Sequence, residues 1–149
     1  MKRETIVQII CYSFILLFMY TAISKLLAFN VTEFDMHRNP ILGDYPRFWA
    51  VSVPVAEIIV SVLLFFVGTR RLGLWLTLLL MVGFTGYVGV LLASDYHLPC
   101  TCGGIFRQLT WTQHLYVNIG LTAIAIVGIV LNGQGRDGKM LPYKDFIAR

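Results

Sequence analysis

Residues 5–27 read TIVQIICYSFILLFMYTAISKLL, and how this stretch is taken decides the fold. A secretory signal has an apolar core of about 7–15 residues followed by a small-x-small cleavage site. The run here is longer, and Lys25-Leu26-Leu27 is a poor cleavage region. The stretch therefore reads as a retained transmembrane helix. Three further apolar runs follow, at 48–67, 72–93 and 111–131. At about 1.5 Å of rise per residue, each is long enough to cross a hydrocarbon layer about 30 Å thick. The expected fold is all-α: a four-helix transmembrane bundle over residues 1–131, antiparallel, followed by a polar tail at 132–149.

Composition points the same way. Apolar residues make up 57% of the 149 and charged residues 13%, against about half and a quarter in a soluble domain. The net charge is +4, but the basic residues are scattered through short connections. No Lys/Arg stripe with interleaved aromatics is present, which excludes nucleic acid as a partner. The partner the composition demands is the lipid bilayer. Three cysteines are too few for a disulfide scaffold.

The connections set the topology. Residues 30–47 are polar and turn-rich, with Asn39-Pro40, Gly43-Asp44 and Tyr45-Pro46 as breakers. Phe34, Met36, Ile41 and Leu42 suit part of this loop to the membrane interface. Gly68-Thr69-Arg70-Arg71 is a link so short that the next helix must run back along the second. Four crossings put both termini on one side. That side carries Lys2, Arg3, Arg70, Arg71, Arg136, Lys139, Lys144 and Arg149; the other carries only Arg38, Arg47 and Arg107. The excess of Lys and Arg marks the cytoplasmic face. Both termini and the tail are thus expected in the cytoplasm, in a multi-pass protein of the inner (cytoplasmic) membrane. The loop at 94–110 then faces the periplasm or cell exterior, where disulfides persist.

That loop contains Pro99-Cys100-Thr101-Cys102-Gly103-Gly104. Residues two apart have Cα atoms roughly 5.5–7 Å apart, the upper part of the range a disulfide spans. So small a ring is strained, and strained, exposed disulfides are the labile, oxidising ones. The pair closes almost no chain, so it suits exchange better than stapling. A metal site fits less well. Zinc takes four ligands, and His97 and His114 are the only further candidates nearby, so no metal is expected. Cys11 lies near the opposite end of the first helix and reads as a small buried hydrophobe.

Polar residues inside the spans complete the candidate site. Glu57 lies about 14 Å into the second run by helix rise. A carboxylate at that depth faces the bundle interior and has a partner. Lys25 is the obvious one; the alternative is that its chain snorkels outward from the end of the first helix. His114 and Asn118 are four apart on the fourth run and share a face. His114 is placed either to stabilise a thiolate or relay a proton, or to satisfy a buried carbonyl. Trp111 and Tyr116 read as interface-belt aromatics. Thr110 reads as an N-cap. Gly83, Gly86 and Gly89 read as a surface for close helix packing. The sequence names no cofactor; a quinone headgroup, which needs a flat apolar slot with one or two polar contacts, is compatible with these residues.

Several of these features resemble the MauE/DoxX-like group of redox-associated membrane proteins. The residues concerned are Ser24-Lys25-Leu26, Pro54-Val55-Ala56-Glu57, Cys100-Thr101-Cys102-Gly103-Gly104, Leu109-Thr110-Trp111, His114 and Asn118, within about residues 5–131. The family pattern has an aromatic between the second Cys and its Gly; here Gly103 follows Cys102 directly. The resemblance implies a four-helix membrane protein. MauE is associated with methylamine utilisation and with a thioredoxin-like partner in disulfide formation, and DoxX relatives include a subunit of a quinone-linked enzyme. The expected function is thiol–disulfide exchange through Cys100 and Cys102 with a periplasmic thioredoxin-fold partner. Its alternative is a non-enzymatic subunit or assembly factor of an envelope complex. Four helices without a repeat are few for a transporter built on Glu57 and Lys25.

Overall fold

The structure is a computed structural model, and it describes residues 3–39, 42–93 and 110–137, with side chains to 133. Five helices form among the described residues, and no strand does: α1 (Arg3–Leu27), α2 (Phe29–His37), α3 (Pro46–Phe65), α4 (Arg70–Ala93) and α5 (Trp111–Asp137). α1, α3, α4 and α5 are long and apolar enough to cross a membrane. The protein is a multi-pass membrane protein.

The four spans form a ring in which α1 packs on α3 and α5, and α4 packs on α3 and α5. Each helix is apolar nearly all round, yet only 22–33% of each span is buried against its neighbours. The outer surface is made of side chains such as Leu16, Phe48, Leu79 and Val130. A surface so apolar is stable against lipid rather than water.

Helical spacing selects the inner face. On α1 the buried residues Val7, Ile10, Cys11, Phe14 and Phe18 recur every three or four positions. They meet Val60 and Leu64 of α3, Leu74 and Met81 of α4 and Ala125 of α5 in one core. Cys11 is a free thiol inside this core, 1% exposed. On α3 the same spacing buries Ala50, Pro54, Glu57, Ser61 and Leu64. Pro54 removes one backbone donor in mid-helix, and it does so on the buried face, where neighbours shield the freed carbonyl.

Three local structures depart from expectation. Residues 29–37, read as a turn-rich loop, form α2. The chain leaves helical geometry only at Ala28, whose φ is −102° and ψ 36°. It then resumes, because Phe29–His37 holds no Pro or Gly to stop it. Thr32, 3% exposed, donates its hydroxyl to the Lys25 carbonyl at 3.3 Å, folding α2 back onto the end of α1. Phe34 remains 60% exposed, as an interfacial side chain would be. At the other end of the chain α5 runs to Asp137, beyond the expected end at 131.

The glycine stripe of α4 is the third departure. A Cβ at Gly83, Gly86 or Gly89 would meet nothing within 4 Å, so these glycines do not mediate helix contacts among the described residues. The close approaches are elsewhere. A Cβ at Gly73 would stand 2.9 Å from the Leu64 backbone nitrogen, and one at Gly128 would stand 3.2 Å from Ile10 and Leu74 side-chain carbons. Three-residue spacing placed the stripe on one face, but that face meets no neighbouring helix among the described residues.

Candidate functional site

Lys25, Glu57, His114 and Asn118 come together. Lys25 stands in the last turn of α1, Glu57 midway along α3, and His114 and Asn118 in the first turns of α5. All four are more than nine-tenths buried: Lys25 is 8% exposed, Glu57 1%, His114 6% and Asn118 6%. They line one cavity of about 490 Å³.

Lys25 does not snorkel. Its Nζ donates to Glu57 Oε1 at 2.6 Å and lies 5.4 Å from the centre of the Phe84 ring. The ring face adds attraction for the ammonium. A carboxylate has room for several hydrogen bonds, and Glu57 Oε2 is buried with no hydrogen-bond partner among the described residues. Thr21 lies beside it, but its hydroxyl is directed to the Phe18 carbonyl at 3.1 Å. Ser61, one turn on, donates to the Glu57 carbonyl at 2.8 Å and so leaves the carboxylate alone as well.

The α5 side is set by its first turn. Thr110 Oγ1 accepts from the Gln113 backbone N–H at 3.3 Å, while Gln113 Oε1 accepts from the Thr110 N–H at 3.1 Å. This reciprocal cap fixes where α5 begins and which residues its second turn turns inward. Thr110 is the expected cap; Gln113, three residues on, is the half that the sequence reading missed. His114 then faces the cavity within electrostatic reach of Lys25. Asn118, one turn deeper, lines the same space, and its Nδ2 is buried with no hydrogen-bond partner among the described residues. Below it, Thr122 donates to the Asn118 carbonyl at 2.7 Å and meets Thr85 of α4, hydroxyl to hydroxyl, at 3.3 Å.

Aromatic rings form much of the remaining wall: Phe18, Trp49, Phe84, Tyr87 and Trp111. Trp111, the first residue of α5, lines the cavity, and Tyr116 is 70% exposed on the outside. Trp49, Phe84 and Tyr87 carried no signal beyond apolar periodicity. Asn39 was legible only as a turn residue. It hydrogen-bonds the Tyr87 hydroxyl, and its Oδ1 accepts from the Leu42 N–H at 3.2 Å. It thereby ties the α2–α3 connection to the cavity wall. Gly43 is required in that connection, since a Cβ there would stand 2.6 Å from the Asn39 carbonyl oxygen.

The family model for methylamine utilisation protein MauE matches residues 3–131. The chain belongs to the MauE family. The match takes in the first three spans, most of the fourth and the complete cavity lining. No curated protein and no solved structure matches the chain. Cys100 and Cys102, the residues to which sequence reasoning gave the chemistry, lie within the family match but outside the described residues.

Proposed function

We propose that this MauE-family protein is a thiol–disulfide redox protein of the cytoplasmic membrane, acting through Cys100 and Cys102. In this reading the four spans run antiparallel, residues 1–131 form the membrane unit, and both termini lie in the cytoplasm with the tail at 132–149. The cysteine pair faces the periplasm or cell exterior. The excess of Lys and Arg on the termini side supports that orientation.

The observation that carries the reading is the convergence of Lys25, Glu57, His114 and Asn118 on one cavity at the start of α5. The segment holding the cysteine pair joins α5 at Thr110, one turn before His114. Buried ionisable residues in a membrane bundle mark functional pathways; Lys25, Glu57 and His114 are three, and His114 stands in the first turns of the helix that follows the pair in sequence.

The chemistry balances as two successive exchanges. A thiolate of an extracytoplasmic thioredoxin-fold partner attacks one sulfur of the Cys100–Cys102 disulfide, forming a mixed disulfide and releasing the other sulfur as a thiolate. The partner's second thiolate then attacks the mixed disulfide. The partner leaves oxidised, and Cys100 and Cys102 gain two electrons and two protons as thiols. A lipid-soluble two-electron carrier reoxidises them, taking up the same two electrons and two protons. In this reading His114 carries a proton between the cysteine pair and the cavity.

The test is a pair of single variants, Cys100→Ser and Cys102→Ser, each expressed in cells and run under non-reducing conditions after thiol blocking. Removing the resolving sulfur should leave a stable mixed disulfide with a thioredoxin-fold protein, identified by mass spectrometry. No adduct from either variant, together with full function of the Cys100→Ala/Cys102→Ala double variant, would favour a non-enzymatic assembly role instead.

A further inference from the structure

We infer that the cavity between α1, α3, α4 and α5 is a binding site for a lipid-soluble hydroxylated ring of the quinol class, and that it prefers the reduced quinol to the oxidised quinone. Assigning this ligand as the carrier that serves the cysteine pair rests on the exchange reading above; the binding itself does not.

Two buried polar atoms define the ligand. Glu57 Oε2 and Asn118 Nδ2 have no hydrogen-bond partner among the described residues, on side chains 1% and 6% exposed. A buried polar group without a partner costs about 1–3 kcal/mol, more when charged; both residues line the cavity, and a partner entering it would relieve that cost. Their chemistry is complementary. Glu57, already neutralised through Oε1 by Lys25, offers an acceptor at Oε2. Asn118 offers a donor. A ring hydroxyl satisfies both kinds of atom, since its O–H donates and its oxygen accepts. A quinone carbonyl only accepts. It can satisfy Asn118 but leaves Glu57 Oε2 as it was.

The remaining walls fit a flat ring. Trp49, Phe84 and Trp111 line the cavity, and its 490 Å³ falls in the range of about 300–1,000 Å³ seen for small-molecule sites. The way in is through α4. Gly83 and Gly86 line the cavity, and no atom stands within 4 Å of where their Cβ would be. The helix wall is therefore thinnest where a molecule from the bilayer would pass it, which gives the glycine stripe a role that helix packing does not.

The test uses purified full-length protein in lipid nanodiscs, in a Trp75→Phe background. Trp75 is 51% exposed and does not line the cavity, so the remaining signal comes from Trp49 and Trp111. Decylubiquinol and decylubiquinone are titrated separately under argon, with decylbenzene as a competitor that has the tail and ring but no polar atom. The quinol should quench with an affinity at least about tenfold above the quinone's, one charged-acceptor hydrogen bond's worth. Glu57→Gln should erase that preference, and Asn118→Leu should weaken both forms about tenfold. If Glu57→Gln does not fold, Asn118→Leu still decides. Equal affinity of the wild type for the two forms, unchanged binding in Asn118→Leu, or equal competition by decylbenzene would each overturn the inference. A Cys100→Ser/Cys102→Ser variant should bind both forms as the parent does, so that failure of the exchange reading leaves this result intact, and failure here leaves the mixed-disulfide test standing.

Discussion

Replacing Lys25 with Met separates the two costs inside the buried pair. At 2.6 Å and an effective dielectric of about 20, the Lys25–Glu57 attraction is about 6 kcal/mol. Against it stands a desolvation cost of several kcal/mol for each ion. The pair as a whole is therefore close to break-even, and Lys25→Met/Glu57→Gln together should change stability by no more than about 1–2 kcal/mol. The single variants should differ sharply. Lys25→Met leaves a carboxylate that is 1% exposed in the middle of α3, a loss of about 3–5 kcal/mol, and also removes the ammonium over Phe84, about 0.5–2 kcal/mol. Glu57→Gln leaves Lys25, which is two residues from the end of α1 and can then reach outward; about 1–2 kcal/mol is expected. Reversible unfolding in mixed micelles of dodecyl maltoside and increasing dodecyl sulfate, followed by circular dichroism, measures all four proteins. A Lys25→Met loss within about 0.5 kcal/mol of zero, or single losses that simply add in the double variant to within that margin, would refute the reasoning.

The same unfolding assay checks the glycines. Gly73→Ala drives a methyl into the Leu63–Leu64 backbone and should cost about 1–3 kcal/mol, whereas Gly89→Ala, with open space around it, should be neutral or slightly stabilising through helix propensity, up to about 1 kcal/mol. For the proposed orientation, a membrane-impermeant maleimide added to reduced, intact spheroplasts should label Cys100 and Cys102 in a Cys11→Ala background. A reporter cysteine placed at Arg136 should label only after the membrane is opened; the reverse pattern would invert the topology.

The spans were legible because lipid leaves a helix no alternative: every backbone group must be satisfied internally, so run length and hydropathy suffice. The stop signals were less legible. Asn30, Glu33 and Asp35 looked like a polar loop, but a helix with one face on α3 and the other at an interface tolerates them, and Ala28 carries the break without a Gly or Pro to announce it. The polar half of the site was legible for a related reason. Glu57, Lys25, His114 and Asn118 are conspicuous against apolar spans, since each must find a place inside. The aromatic half was not, because Trp49, Phe84 and Tyr87 look alike in sequence whether they face lipid or a cavity. The α4 glycines show the limit most clearly. Their spacing identifies a shared face, but only the position of the neighbouring helices decides that the face is open.

A pair that contributes little net stability needs another reason to be buried, and its geometry supplies one. An apolar substitute for Lys25 and Glu57 would fill the space without the desolvation cost. It would also remove a carboxylate oxygen that has no partner among the described residues, on a side chain that lines the cavity. Lys25 occupies Oε1 and Thr21 turns its hydroxyl to its own helix, so the charge is compensated while Oε2 stays available. Asn118 presents a donor from α5 to the same cavity, on the helix whose capped first turn follows the cysteine segment. The lysine therefore does for Glu57 what no hydrophobic neighbour does: it keeps an acceptor usable at a depth where an unpaired carboxylate would not persist. The stability experiment and the quinol titration thus probe one arrangement from two sides, since a Lys25→Met protein that still folds should lose the distinction between quinol and quinone even though Lys25 donates no hydrogen bond to the ligand.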